Sequence, residues 1–351
     1  MIETFHLLRV LLVTMFQSFN TTGIGSLPHL DAKEACRVVL DSVDIPFWPQ
    51  LPHRSFKESM APQYTEGFPF VKVQGESVVV VKPEESALNE FYEAIAEKRG
   101  FPISEEFSAG FYAFINMLQQ RNSKLDVVKG HITGPLTFAL SVTDEQKRPI
   151  YFNDELRDLS IELLKGKIRW QIEELSKYAD KVLMFIDEPI MSALGTSTYL
   201  GVSTEDALNI IRDILEYINE CGAISAIHCC GKADWSFALS AKPDVFNFDA
   251  FSFADTLGLY PQEITSFMNN GGYIAWGIVP TTDDIRDADY DGLKSRLESG
   301  FSTLQKAGVP DASIRKQVLL SPSCGTGSLE VKDALKAFSL LKKLRNSYVG
   351  G

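Results

Sequence analysis

The sequence lacks the features that mark several large protein classes. It has only five cysteines in 351 residues, an odd number, at positions 36, 221, 229, 230 and 324. So sparse a set does not suit a disulfide framework, and reduced thiols in the cytoplasm are the expectation. The sequence also lacks an apolar run of transmembrane length, and its 34 basic and 46 acidic residues leave a net charge of −12. This balance argues against a nucleic-acid-binding or membrane-surface protein, because both need a basic face.

The N-terminal segment lacks the basic flank and the small-residue cleavage site of a signal peptide. Residues 1–16 contain a short apolar run that is too short to span a membrane. We therefore expect residues 1–17 to be an N-terminal extension, with Met15 as an alternative start of translation. Residues 18–351 are then expected to form one domain.

Phosphate-binding glycine loops are absent after the first predicted strand, which argues against a dinucleotide-binding open sheet. What is present is an alternation of short apolar runs with helical patterns, and eight such runs predict a (β/α)8 TIM barrel. The predicted strands are 20–25, 45–50, 126–132, 181–187, 223–229, 244–249, 272–278 and 316–320. Residues 51–125 are too many for one crossover, and their predicted hairpin and two helices form an insertion over the mouth of the barrel.

Metal-binding side chains gather where the predicted strands end, which is the catalytic end of such a barrel. His228 and Cys230 are two residues apart at the end of the fifth strand, so they point to the same side, and Cys324 follows the eighth strand. Two thiolates and one imidazole suit Zn²⁺ with a fourth position open to substrate, and Asp249 is a candidate additional ligand. The alternative is that the cysteines are small buried apolar side chains and His228 is a core histidine.

Further polar candidates follow neighbouring strands. Asp187 and Glu188 end an apolar strand, and either could hold an ammonium group or act as a general base; a helix cap or an ion pair is the alternative. His131 is a candidate catalytic residue on an otherwise apolar strand, where a structural role is equally open. Small residues at Thr133 and around Gly25 would let the backbone approach a ligand. Glu66, in a rim loop, is a candidate for amino-acid binding, and a solvated loop is the alternative.

These residues together resemble the cobalamin-independent methionine synthase family, specifically its C-terminal catalytic barrel. That barrel belongs to a superfamily shared with uroporphyrinogen decarboxylase. The resemblance extends over nearly the whole chain after about residue 18. The matching segments are TTGIGSLPH (21–29), KGHITGPLTFAL (129–140), FIDEPIMSALG (185–195), IHCC (227–230), DVFNFD (244–249) and SPSCG (321–325).

The resemblance implies a role for each matched residue. His228, Cys230 and Cys324 match the family's zinc ligands, and Asp249 matches a glutamate that is the fourth ligand. Three consecutive residues match the segment that holds the amino-acid substrate, and Asp187 matches the carboxylate that binds the substrate ammonium group. The three are Ile24, Gly25 and Ser26. The implied reaction is the transfer of a methyl group to a zinc-bound thiol, homocysteine, to give methionine.

Two departures from the family concern the methyl donor. Ser141 stands where the family has a folate-stacking tryptophan, and Ala193 stands where it has a folate-contacting glutamate. We therefore expect a methylcorrinoid, carried on a separate corrinoid protein, in place of methyl-folate. Three alternatives remain: a methylcorrinoid:coenzyme M-type methyltransferase, a decarboxylase of the uroporphyrinogen type, and a barrel that binds a corrinoid protein without chemistry.

Overall fold

The computed structural model describes residues 16–349 apart from 197, 198 and 200. Within it, seven parallel strands form one curled sheet in the order β1-β9-β8-β7-β6-β5-β4, and β2 and β3 form a separate antiparallel hairpin. Residues 1–15, which make up most of the predicted extension, lie outside the described part of the chain. The strands are β1 Asn20–Thr21, β2 Val71–Gln74, β3 Ser77–Val80, β4 Leu125–Thr133, β5 Ala179–Asp187, β6 Ile224–Cys229, β7 Val245–Phe248, β8 Tyr273–Val279 and β9 Val318–Pro322.

The segment 45–50 joins the two edges of the curled sheet. Isolated parallel bridges pair Ser26 with Gln50 and Phe47 with Lys129, so the segment lies between the chain that follows β1 and strand β4. Pro46 and Pro49 have no N–H to donate, which explains why these pairings stay isolated bridges. The predicted (β/α)8 TIM barrel is confirmed, although its second strand is reduced to these bridges.

Helices follow most of the strands, as the predicted alternation of apolar runs with helical patterns requires. Asp31, Asn153 and Ser203 cap three of them, because each side chain accepts a hydrogen bond from a backbone N–H in the first turn. Within the described part of the chain, no helix combines the length and the apolar character that crossing a membrane requires. The helices are α1 Ala32–Ser42, α2 Glu85–Ala96, α3 Ala109–Gln119, α4 Pro135–Ser141, α5 Asp154–Leu175, α6 Thr204–Glu220, α7 Trp235–Ser240, α8 Ala250–Phe253, α9 Pro261–Asn269, α10 Tyr290–Lys306, α11 Asp311–Lys316 and α12 Val331–Val349.

The predicted insertion separates the segment 45–50 from β4. It contains two 3₁₀ turns, Phe56–Glu58 and Pro62–Tyr64, followed by the β2–β3 hairpin and helices α2 and α3. Tyr64 and Met60 reach the end of β4, because the Tyr64 hydroxyl donates to the His131 carbonyl at 3.0 Å and Thr133 Oγ1 donates to the Met60 carbonyl at 2.6 Å. The insertion therefore contacts the carboxyl end of β4, and its predicted position over the whole barrel mouth stays a prediction.

The lower interior of the barrel is apolar. A cluster of apolar side chains, most of them from the strands, fills it and is separate from the larger core between the sheet and the helices. In this cluster Phe16 packs edge-on against Tyr273, with ring centroids 5.0 Å apart. The cluster consists of Phe16, Ile24, Ile45, Val127, Leu183, Phe185, Ile224, Ala226, Val245, Tyr273, Ala275 and Leu319. Because side chains two residues apart on a strand point to the same face, the next inward positions toward the strand ends lie above this cluster.

Candidate active site

Polar side chains occupy these upper inward positions on neighbouring strands. The strand register pairs Thr133 of β4 with Asp187 of β5, and Asp187 with His228 of β6. His228 pairs in turn with Asn247 of β7. The parallel register therefore brings residues that are far apart in the sequence to one height at the mouth of the barrel.

His228, Cys230 and Cys324 lie together at this height. Their potential ligand atoms are all within 4.8 Å of one another, and the His228 imidazole is buried. His228 Nε2 has no hydrogen-bond partner in the protein. Cys229 lies between His228 and Cys230 in the sequence. Its side chain points to the opposite face of the strand and packs in the larger apolar core between the sheet and the helices, as strand alternation predicts. Two sulfurs and one unpartnered imidazole nitrogen form a donor set that fits Zn²⁺.

The two thiols of this cluster influence each other. The neighbouring Cys324 thiol lowers the pKa of Cys230 to about 4 by hydrogen bonding to its thiolate, and His228 adds to this effect. The same contact raises the pKa of Cys324 well above its usual range, and burial acts in the same direction. The contact therefore favours a thiolate on Cys230 and a protonated thiol on Cys324, and a divalent cation would favour loss of the second proton.

A cavity of about 310 Å³ opens beside the cluster, and we call it the site cavity. Its volume is at the small end of the range for ligand pockets. Among its described lining residues there is no lysine or arginine, and Tyr64 is the only phenylalanine, tyrosine or tryptophan. The lining residues are Ile24, Ser26, Gln50, Pro52, Ser59, Met60, Tyr64, His131, Thr133, Asp187, Pro189, His228, Cys230, Cys324 and Gly325.

Asp187 supplies the carboxylate of the site cavity. Its Oδ1 is buried and has no hydrogen-bond partner in the protein, and burial raises the pKa of the carboxyl. Lys129, two residues before His131 on β4, is wholly buried, and its Nζ donates to the Ile24 carbonyl at 2.5 Å. Burial lowers the pKa of Lys129 to about 8, while Asp187 opposes this shift. The lysine is therefore a buried cation that partly compensates the carboxylate.

His131 is held rigidly but leaves its ring nitrogens unused. The imidazole is 1% exposed and stacks on the Trp48 ring with centroids 4.0 Å apart. A Cβ on Gly25 would lie 3.1 Å from His131 Nε2, so glycine allows this close approach. Neither ring nitrogen has a partner in the protein, and burial together with Lys129 lowers the pKa of His131 well below its usual value. His131 thus presents one N–H and one lone pair as a neutral group.

The segment after β1 lines part of the site cavity and also forms hydrogen bonds to the loop that follows Cys324. Ile24 and Ser26 line the site cavity. The Ser26 carbonyl accepts a hydrogen bond from the Thr326 N–H at 2.8 Å, and Ser26 Oγ accepts one from the Gly327 N–H at 3.3 Å. Ser26 therefore also holds the loop that carries Cys324.

Glu188 does not line the site cavity. Its buried carboxylate accepts hydrogen bonds from the N–H groups of Leu136 and Thr137 at 2.8 and 3.0 Å, and from Thr137 Oγ1 at 2.7 Å. These bonds satisfy the first turn of α4, although burial raises the pKa of the carboxyl to about 7. Its predicted role in substrate binding stays a prediction, and the contacts favour the helix-cap alternative.

Asp249 and Glu66 belong neither to the cluster of His228, Cys230 and Cys324 nor to the lining of the site cavity. Asp249 caps α8 by accepting a hydrogen bond from the Ser252 N–H at 2.9 Å, and it is not part of the three-residue cluster. Glu66 accepts a hydrogen bond from the Ser104 N–H at 2.6 Å and lines a different cavity, beneath the β2–β3 hairpin. Zinc ligation by Asp249 and amino-acid binding by Glu66 stay predictions.

Two buried residues of the site were not singled out from the sequence. Asn247 contacts His228, and Lys129 lies beneath Asp187 and His131. Strand alternation could have found both, since Lys129 is two residues before His131 and Asn247 is two residues before Asp249.

Comparison with known proteins adds information on the fold. No family model matches the chain, and no curated protein matches its sequence. The fold is similar to that of a B12-independent methionine synthase from Shewanella sp. W3-18-1, solved in complex with selenomethionine. The sequences are 13% identical, the TM-score is 0.55, and the match covers 94% of this chain and 98% of that chain. At this level of identity the likeness shows the fold alone.

The substitution Glu188→Ala tests whether this carboxylate holds α4 or binds substrate. It leaves two buried backbone N–H groups without partners, so we expect the free energy of unfolding to fall by about 2–4 kcal/mol. Chemical denaturation measures this change. Glu84→Ala is the control, because Glu84 precedes α2 but makes no side-chain cap. Unchanged stability together with a raised KM for a thiol substrate would instead support substrate binding.

Proposed function

We propose that the protein is a zinc-dependent methyltransferase that moves a methyl group to the thiol of homocysteine. The observation that carries the proposal is the His228, Cys230 and Cys324 cluster beside a small cavity whose carboxylate has an unpartnered oxygen. The fold likeness to a methionine synthase solved with selenomethionine supports the same reaction class.

The three clustered side chains would hold the metal. Two thiolates and one neutral imidazole leave one tetrahedral position for a ligand, as in catalytic zinc sites. A bound zinc ion lowers the pKa of a coordinated thiol, which is otherwise about 8.5, so that the nucleophilic thiolate predominates at neutral pH. Ser26 would keep the Cys324 loop in place through its bonds to Thr326 and Gly327.

The charge of the site cavity favours an amino-acid thiol as the acceptor. Asp187 is the only Asp, Glu, Lys or Arg among the lining residues, and its free Oδ1 would accept a hydrogen bond from an ammonium group. Coenzyme M carries a sulfonate and no ammonium group, so it would have nothing to pair with Asp187 and no cation among the lining residues. A uroporphyrinogen-type substrate has several carboxylates and likewise no ammonium group. Homocysteine is therefore the preferred acceptor.

The remaining side chains would orient the acceptor. His131 offers a hydrogen bond without a charge, and Ile24 provides an apolar wall. The transfer forms a sulfur–carbon bond and breaks the bond from the methyl group to its donor, whose electron pair stays with the donor. The thiol proton leaves before this step. Positioning by Asp187 and His131 would align the sulfur with the methyl group.

The small volume of the site cavity suggests that the methyl donor approaches from the barrel mouth. Among the described lining residues no tryptophan offers a stacking surface for a pterin, and Tyr64 is the only phenylalanine, tyrosine or tryptophan. Ser141 and Ala193, where the related enzymes have folate-contacting residues, are not lining residues of the site cavity. We therefore propose a methylcorrinoid, presented by a corrinoid protein, as the donor.

The metal and the acceptor can be tested together by zinc K-edge X-ray absorption on the purified protein. We expect one nitrogen and two sulfur ligands from the protein and one additional sulfur after homocysteine is added. Cys230→Ser and Cys324→Ser should each remove one sulfur from the shell, whereas Cys36→Ser, which alters a buried cysteine outside the cluster, should not. Absence of metal binding after reconstitution would overturn the proposal. If the number of sulfur ligands does not change when homocysteine is added, either the acceptor is another thiol or the zinc site is structural.

Asp187→Asn tests recognition of the ammonium group. Losing a charged hydrogen bond of 1.5–3 kcal/mol should raise the KM for homocysteine about 10- to 100-fold. The matched control is 4-mercaptobutyrate, which lacks only the amino group, and its KM should hardly change. Zinc content should also stay unchanged. An equal loss with both thiols would contradict ammonium binding by Asp187.

The donor is tested by steady-state turnover of homocysteine with two methyl sources. Because no tryptophan is among the described residues that line the site cavity, we expect methionine to form with methylcobalamin and not with methyltetrahydrofolate. Methionine is quantified by mass spectrometry, with zinc-free protein as the background. Efficient turnover with methyltetrahydrofolate and none with methylcobalamin would reverse the choice of donor.

A further inference from the structure

Asn247 lies on β7, is wholly buried, and connects three other strands. Its Oδ1 is 2.5 Å from His228 Nδ1 on β6. Its Nδ2 donates to the Ala275 carbonyl on β8 at 2.7 Å and to Ser321 Oγ on β9 at 2.9 Å. Every polar atom of the amide thus has a partner within the protein.

These contacts determine which His228 nitrogen carries a proton. The Ala275 carbonyl can only accept a hydrogen bond, so the amide nitrogen of Asn247 must face it. The amide oxygen therefore faces His228, and because this oxygen can also only accept, His228 Nδ1 must donate. The other ring nitrogen, Nε2, points away from Asn247 and has no partner in the protein, so it is the nitrogen that is free to bind a metal.

We propose that Asn247 is a positioning residue of the metal centre, which fixes the tautomer and orientation of His228 so that Nε2 serves as the metal ligand. The proposal rests on the zinc site of the proposed function. Outer hydrogen bonds of this kind hold metal-binding histidines in place, and their loss typically weakens metal binding 10- to 100-fold. The bond to Ser321 also connects this support to β9, the strand that leads to Cys324.

A purely structural role for Asn247 is the competing explanation. Its two N–H bonds tie β7 to β8 and β9, and losing them would loosen the barrel whatever His228 does. A test must therefore distinguish the effect of losing the acceptor oxygen of the Asn247 amide from the effect of losing its N–H donors.

The substitutions Asn247→Asp and Asn247→Leu make this separation. Both remove the N–H donors, but only aspartate keeps an acceptor oxygen for His228 Nδ1. We expect the zinc Kd, measured by chelator competition, to be about 10- to 100-fold weaker for Asn247→Leu than for Asn247→Asp. Thermal unfolding of the metal-free proteins measures the structural cost that the two variants share. Ser321→Ala, which removes one distal partner, should change the zinc Kd no more than a few-fold.

A spectroscopic measurement supports the test if Asn247→Leu does not fold. In zinc-loaded wild-type protein with ¹⁵N-labelled histidine, His228 should show an Nδ1–H proton protected from exchange with solvent. Absence of that protected proton would overturn the inference. So would equal zinc affinities of the leucine and aspartate variants, or wild-type affinity of the leucine variant. Failure of the wild-type protein to bind zinc would instead overturn the proposed function.

Discussion

The parallel register of strands β4 to β7 is the constraint on which the candidate site depends. It places Thr133, Asp187, His228 and Asn247 at one height, directly above an apolar interior. A shift of one residue on any of these strands would turn its polar side chain toward the helices and an apolar one toward the cavity. The same alternation that builds the core therefore also assembles the site, and folding and function share one geometric requirement.

The polar groups around the cavity divide into two kinds. Gln50, Tyr64, Thr133 and Asn247 have their hydrogen bonds satisfied by the protein and hold neighbouring segments in place. A second kind consists of buried atoms without partners in the protein: Asp187 Oδ1, His228 Nε2 and both ring nitrogens of His131. Because leaving a buried polar atom unpartnered costs about 1–3 kcal/mol, such atoms are expected where a ligand provides the missing partner. Unpartnered buried atoms also occur at His29 and Glu58, outside the lining of this cavity, so it is their convergence on one cavity that marks Asp187, His228 and His131 as candidate binding residues.

The barrel and its alternation of strands with helices were predictable from the sequence. The apolar residues recur with the two-residue period of strands or the helical period in most of these elements. The prediction overestimated the regularity of the segment 45–50, where two prolines interrupt hydrogen bonding. The cluster of His228, Cys230 and Cys324 was also predictable, since each residue lies at or just after the end of a recognisable strand. The partners of Glu66 and Glu188 were not, because Ser104 and Leu136 are 38 and 52 residues away in sequence. An isolated carboxylate in a sequence does not reveal which backbone amides will meet it.

The proposed chemistry also explains the buried cation beneath the cavity. Zn²⁺ with two cysteine thiolates and neutral His228 would carry no net charge, and an acceptor thiolate would make this group negative. The acceptor ammonium would be balanced by Asp187, whereas the acceptor thiolate and carboxylate would add negative charge that needs compensation nearby. Lys129 is wholly buried, bonds to the Ile24 carbonyl and interacts electrostatically with Asp187. A buried lysine is costly unless it is paired, and its position here would stabilise a site that gains negative charge on binding the proposed acceptor.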